Sequence, residues 1–226
     1  MTYENGGTPA PLATGHVVAV NVGQPREIIW LGRSGMSSIW KTPVPGRLEV
    51  RGVNVVGDRQ ADLGVHGGPD QAVYAYAVED TEWWAEQLGR SLEPGTFGEN
   101  LTLRDIDVTN AVIGERWQVG GIELEVTQPR FPCWKLSARM NDRHFETRFA
   151  DARRLGAYLR IRSEGEIGAG DEVRVISRPS HGVTIRMVGD IRLSDTLEAA
   201  TLLNVPELGE GMRQWAMRAA TRSSLA

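Results

Sequence analysis

The residue with the most reactive side chain in this sequence is a lone cysteine, Cys133, set in Thr127-Gln128-Pro129-Arg130-Phe131-Pro132-Cys133-Trp134-Lys135. Two prolines fix φ and remove backbone donors, so this loop holds a defined shape and aims the thiol. Arg130 and Lys135 bracket the cysteine, and nearby cations favour the thiolate, the form that attacks electrophiles and binds soft metals. A single cysteine excludes an intramolecular disulfide and a zinc site built from paired thiolates. The ordinary alternative is a buried cysteine acting as a small hydrophobe. The flanking charges weigh against it, because charges are seldom placed around a core residue.

Other segments carry polar groups on glycine-rich backbone. Val65-His66-Gly67-Gly68-Pro69-Asp70 places paired glycines before a proline, which lets backbone N–H groups approach an anion, and His66 adds a proton that moves near neutral pH. It is not a dinucleotide fingerprint, since Gly64, Gly67 and Gly68 have the wrong spacing and no strand-to-helix crossover follows. In Phe97-Gly98-Glu99-Asn100, the acid and the amide could read the hydrogen-bonding edge of a heterocycle. Ser37-Ser38-Ile39-Trp40-Lys41 contributes one of only two lysines in the chain, the other being Lys135, and Gly57-Asp58-Arg59-Gln60-Ala61-Asp62 is a turn of mixed charge. Each of these segments, taken alone, also reads as an ordinary turn or loop.

The elements that must position these groups are mostly strands. Residues 17–20, 27–31, 48–55, 72–77, 157–161 and 172–176 are short runs rich in β-branched or aromatic residues and punctuated by Gly and Pro. Gly120-Gly121, between alternating segments, predicts a tight hairpin over 117–126. Helices are inserted rather than alternating: one from Asp80 to a stop at Gly89, one over about 142–154 with Phe145 and Phe149 on one face, and two short ones near 196–203 and from Pro206 onward. The expected fold class is α+β: a β-rich barrel-like body over 15–178, preceded by a flexible segment 1–14 and followed by a small helical extension over 179–226.

Composition narrows the function classes. Among 226 residues, 41% are hydrophobic and 24% charged, which is ordinary globular usage. The longest apolar run, residues 72–78, falls far short of the roughly 20 residues of a membrane span, and no secretion signal is evident, so a cytoplasmic protein with no membrane association is expected. A formal net charge of -4 opposes a nonspecific grip on nucleic acid, and from Arg178 onward six arginines meet only five acids, too small an excess for a DNA-binding helix-turn-helix. No nucleic acid partner is expected.

Trp40-Lys41-Thr42-Pro43-Val44, Gly57-Asp58-Arg59-Gln60-Ala61-Asp62, His66-Gly67-Gly68-Pro69-Asp70, Phe97-Gly98-Glu99-Asn100-Leu101 and Gln128-Pro129-Arg130-Phe131-Pro132-Cys133-Trp134-Lys135-Leu136, in this order, resemble the MOSC domain, specifically its YiiM-like branch. The match runs from about 39 to 176, and the helical tail resembles the three-helix extension of that branch. Two positions depart from the branch pattern: Gln71 stands where a basic residue is usual, and Leu155-Gly156-Ala157-Tyr158-Leu159 replaces a Gly-Trp-Tyr pattern.

The resemblance implies a barrel-like fold that binds molybdenum cofactor (molybdopterin), with Cys133 as the protein's ligand to the metal. It implies Cys133, His66 and Lys41 as catalytic residues, and Lys41, His66, Gly67, Gly68, Asp70, Gly98, Glu99, Asn100, Arg130 and Lys135 as cofactor contacts. It implies an oxidoreductase acting on N-hydroxylated small molecules such as hydroxylaminopurines, a role in detoxification. The chain shows no flavin or nicotinamide fingerprint and no cysteine cluster, so electrons would come from a separate reductase. Two other roles fit the same thiolate: a sulfur carrier using a Cys133 persulfide, and a noncatalytic carrier of the cofactor. Pairing into a homodimer stays open on the sequence.

Overall fold

The computed structural model describes residues 11–61, 67–194 and 197–223. In chain order the strands are β1 (Ala13–Val22), β2 (Arg26–Trp30), β3 (Arg33–Ser37), β4 (Thr42–Pro43), β5 (Arg47–Arg51), β6 (Asn54–Val55), β7 (Val73–Ala77), β8 (Leu101–Arg104), β9 (Arg116–Val119), β10 (Ile122–Pro129), β11 (Ala157–Ser163), β12 (Gly165–Gly168) and β13 (Glu172–Ser177). The helices are α1 (Val78–Leu88), α2 (Trp134–Met140), α3 (Phe145–Ala152), α4 (Ile185–Ser194) and α5 (Glu210–Ser223). Seven strands close into a barrel in the order β1-β13-β9-β10-β11-β7-β8, with β8 returning to β1. Only β7 and β8 run parallel; the other pairs are antiparallel. Closure leaves no open edge in the ring, which stabilises a body made of short strands. The expected hairpin is present, with Ile122 opposite Val119 across Gly120-Gly121. The expected α+β barrel is thus the observed fold.

β7 shows how the site is placed. All five of its residues are buried, and they alternate between two cores. Val73, Ala75 and Ala77 face the aliphatic interior with Leu101, Leu124 and Leu159, whereas Tyr74 and Tyr76 point outward into an aromatic cluster with Trp84, Phe97, Phe145 and Phe149. A strand covered on both faces loses the polar alternation of a half-exposed one. The outer aromatic cluster is roofed by α1, α2 and α3.

The expected helices occur with shifted ends. α1 starts at Val78, two residues before Asp80, because β7 runs straight into it. Asp80 is therefore in the first turn, where its carboxylate accepts from Arg154 and Thr109 instead of capping. Gly89 ends the helix in the left-handed conformation, as the sequence predicts. α2 is not expected from the sequence; α4 completes the three-helix extension that the resemblance implies, although no local signal placed it. The 196–203 segment forms a 3-10 helix at Leu197–Asn204, and α5 begins at Glu210, four residues past Pro206. The cause of the late start is tertiary: the Glu210 N–H donates to Asp70 Oδ2 at 2.7 Å. Val188, Ile191, Leu202, Leu208, Met212 and Ala216 from the tail join the same buried cluster as the barrel interior. No helix among the described residues is long and apolar enough to cross a membrane. Of the flexible segment expected at 1–14, residues 1–10 lie outside the described residues, while Ala13 and Thr14 already belong to β1 and pair with β13.

Candidate functional site

A cavity of about 110 Å³ opens to solvent on the outer wall of the barrel. Its floor is a cross-strand pair: Tyr74 on β7 lies opposite Tyr158 on β11, with ring centroids 5.3 Å apart. One wall is the turn after β10. Arg130 is buried there, with its guanidinium carbon 5.9 Å from the Tyr74 ring and 5.6 Å from the Phe149 ring. Three residues on, Cys133 lines the cavity and is half-buried, in extended conformation just before α2. Burial works against the Arg130 charge, but the Cys133 sulfur and then the Tyr74, Tyr158 and Tyr76 phenols outweigh it and hold that pKa above its ordinary value. Burial also pushes the Tyr158 phenol up, with Arg130 opposing, and the Tyr74 phenol well up.

The facing wall is a polar network that is buried and closely paired. Lys41 donates from Nζ to Asp58 Oδ1, and both side chains are buried. The same Asp58 oxygen accepts from the Gly23 N–H at 2.7 Å, and Oδ2 accepts from Asn100 Nδ2 at 3.0 Å. Asn100 Oδ1 in turn accepts from the Tyr74 N–H at 3.2 Å, which ties this wall to the floor. Burial lowers the Lys41 pKa, while Asp58 pulls it back upward. Two glycines set the approach of the Ile39–Lys41 segment. A Cβ on Gly95 would stand 2.5 Å from the Lys41 carbonyl oxygen, and one on Gly98 would stand 2.7 Å from an Ile39 side-chain carbon. Both glycines also have positive φ, +86° and +80°, a region other L-residues avoid.

The structure therefore sorts the residues named from the sequence. Lys41, Gly67, Gly98, Asn100, Arg130, Cys133 and Lys135 line the cavity. His66 lies outside the described residues. Glu99, Asp70 and Gly68 are not among the lining residues, and a physical reason accompanies each. The Glu99 carboxylate accepts from the Gly95 N–H at 2.5 Å, the Phe97 N–H at 3.0 Å and the Thr102 hydroxyl at 2.9 Å, so it braces the loop behind the wall, where burial raises its pKa. Asp70 accepts from Arg160 Nε at 2.8 Å and Nη2 at 2.6 Å as well as from Glu210, and so anchors the tail. Gly68, at φ 84°, turns the chain into Pro69–Gln71.

Several lining groups were not singled out from the sequence, namely Asp58, Arg59, Ser38 and Tyr74, while Gln71 and Tyr158, noted there as departures from the branch pattern, line the cavity too. Asp58 and Arg59 stand in a noted turn, but nothing local marks one of its charges as the lysine's partner. Gln71, at the position of the usual basic residue, accepts the Gly67 N–H on Oε1 at 3.1 Å and so shapes the glycine turn.

A closed seven-stranded barrel with one thiol at a cation-bearing pocket on its outer wall defines a narrow class. The MOSC domain model matches residues 62–174, and the chain belongs to this family. It is 32% identical over 179 residues to YflK of Bacillus subtilis, covering 79% of this chain and 81% of that protein. A protein of Gibberella moniliformis named "Reductase" is 32% identical over 153 residues, covering 66% of this chain but only 27% of that longer protein. Among solved structures, YiiM from Geobacillus stearothermophilus superposes with a TM-score of 0.75 at 26% identity, covering 91% of this chain and 99% of that one. The chain is accordingly YiiM-like within the family.

Proposed function

We propose that this chain binds molybdenum cofactor with Cys133 as the protein ligand to the metal, and that it reduces N-hydroxylated compounds with electrons from a separate donor protein. The observation that carries this reading is a pair of unmatched atoms on residues that line the same cavity as the thiol. Arg130 Nη1 and Ser38 Oγ are buried without a hydrogen-bond partner, and both residues line the cavity. An unsatisfied buried polar group costs about 1–3 kcal/mol, so this pocket calls for an accepting, anionic group. The donors suit a molybdenum cofactor: a thiol for a soft metal, and Arg130, Arg59 and Lys135 for negative charge. Among the described residues no three His, Cys, Asp or Glu side chains converge as a metal cage, which suits a metal that arrives with ligands of its own.

When bound, the cofactor supplies the two-electron chemistry for cleaving an N–O bond. Conversion of a hydroxylamine to an amine consumes two electrons and two protons and releases water, so the protein's own task is to hold substrate and deliver protons. Lys41 is suited to this. Its ammonium is oriented by Asp58, and burial makes it release a proton more readily than an exposed lysine. Tyr74 and Tyr158, their pKa values raised by burial, form a floor of neutral phenols. The Gibberella relative's name supports a redox role for the shared segment.

Elemental analysis of protein expressed with molybdate, beside Cys133→Ser, tests the reading, followed by reduction of 6-hydroxylaminopurine with reduced viologen. Stoichiometric molybdenum lost in the variant, with turnover, is the expected result. An extra sulfur mass on Cys133 without molybdenum would favour sulfur carriage, and bound cofactor without turnover would favour cofactor carriage.

A further inference from the structure

The described arginines divide by position. Away from the cavity most are tied to carboxylates: Arg47 to Asp171, Arg116 to Glu123, Arg153 to Asp190, Arg154 to Asp80, Arg160 to Asp70 and Arg178 to Glu115. Around the cavity mouth this pairing stops. Arg59 lines the cavity, Arg33 lies 4.9 Å over the ring of Trp134, next to Cys133, and Arg26 lies 3.7 Å over Trp40, next to Lys41; none has an ion pair among the described residues. Arg139 sits 5.9 Å from the same Trp40 ring, and its Nε is buried without a hydrogen-bond partner. Burial and then the Arg26 charge lower the Arg139 pKa, Glu99 opposes them, and Arg90 adds to the lowering, so the cations gathered here outnumber the one carboxylate that reaches them. Among the described residues, a chain with a formal net charge of -4 therefore gathers arginines without ion pairs where its cavity opens.

The β2–β3 hairpin adds an apolar component to that face. Its inner side packs on the site: Gly35 approaches Trp134, and Ser37 lines the cavity. Its outer side exposes Ile29 at 76%, Leu31 at 70% and Met36 at 45%. The only acid on the hairpin is Glu27. Apolar side chains rimmed by uncompensated cations are the composition of a protein-binding face, where charge steers the encounter and apolar contact holds it.

We propose that the β2–β3 hairpin and the Arg26, Arg33, Arg90 and Arg139 cluster form the docking face for the electron donor, an acidic flavin or iron–sulfur protein. The proposal rests on the reading that electrons reach this site from another protein. A cationic face beside the cavity guides an acidic donor so that its redox group approaches the cysteine loop. Because the attraction is between exposed charges, it weakens as salt rises.

The probe is oxidised flavodoxin, an acidic FMN protein, titrated against the purified full chain at about 20 and about 300 mM salt, roughly one order of magnitude apart in ionic strength. Expected are saturable binding at low salt, loss of about tenfold in affinity for the double variant Arg33→Glu/Arg90→Glu, and a smaller loss for Leu31→Ser. The double variant Arg174→Glu/Arg218→Glu, an equal change of charge on β13 and α5, should bind like the parent chain. Failure to bind flavodoxin at low salt, equal binding by all variants, or tighter binding of a single-stranded oligonucleotide than of flavodoxin overturns the proposal. Circular dichroism of each variant separates misfolding from lost docking. In the catalytic assay the double variant should lose flavodoxin-driven turnover while keeping the viologen-driven rate. Absence of viologen-driven turnover with flavodoxin binding intact would strike the reductase reading and leave the docking face standing.

Discussion

Two buried charges a short distance apart in this molecule are treated in opposite ways. Glu99 is matched by three donors from its own loop and the start of β8, and its side chain faces no open space. Arg130 is equally shut off from solvent, yet one of its terminal nitrogens has no acceptor, and its residue borders the cavity. The first arrangement shapes a wall; the second leaves a hydrogen bond for something else to complete. Burial alone thus does not identify a site residue. The discriminating property is whether the hydrogen-bonding capacity of the buried group is already exhausted.

Substitutions can break this contrast. The largest effect should come from Cys133→Ser, which removes the metal-binding sulfur and is expected to lower molybdenum content at least about tenfold while leaving the thermal midpoint within a few degrees, measured by elemental analysis and calorimetry. Glu99→Ala should cost about 3 kcal/mol or more of stability in denaturant unfolding, since it strands two buried N–H groups and a hydroxyl. Arg130→Met should do the reverse: about 1 kcal/mol or less of stability change in the empty protein, but a clear loss of cofactor retention. Equal destabilisation by the two substitutions would erase the distinction drawn above.

Lys41 sharpens the comparison through pH. Burial lowers its pKa below the ordinary lysine value of 10.5, and the protonated form is the one that can donate. Turnover should therefore fall as pH rises through a value below 10.5, and Lys41→Arg should remove that alkaline limb, with the pH–rate profile as the readout. The same shift makes the unfolded chain the better proton binder between the folded and unfolded pKa values, so this group's contribution to stability improves as pH rises through that window. The smallest effect is expected at Asp70. Asp70→Ala removes the cap on α5 and a partly exposed pair with Arg160, a loss of about 1 kcal/mol visible in thermal unfolding, with cofactor content unchanged.

Much of the fold was legible because its signals are local. Gly120-Gly121 marks a hairpin whichever sheet it joins, and Gly89 ends α1 because it can adopt a left-handed conformation at little cost. The missed elements lack such signals. α2 follows Pro132 and Cys133 without a side-chain cap, and α4 packs Val188 and Ile191 into a core built from distant strands. The site was legible to a similar depth. Cys133, Arg130 and Lys135 are neighbours in one loop, so their association is written in the chain. Asp58 beside Lys41, and Tyr158 opposite Tyr74, are not.

From residue order alone came the α+β barrel class, the single thiol between two cations, and the glycine turns that border it. Folding decided which polar groups face the cavity and which brace it, turning Glu99 and Asp70 into internal supports and leaving Arg130 and Ser38 with unmatched atoms. The reason is physical: propensities and turn chemistry act over a few residues, whereas the satisfaction of a buried hydrogen-bonding group depends on partners that only strand pairing and packing bring near.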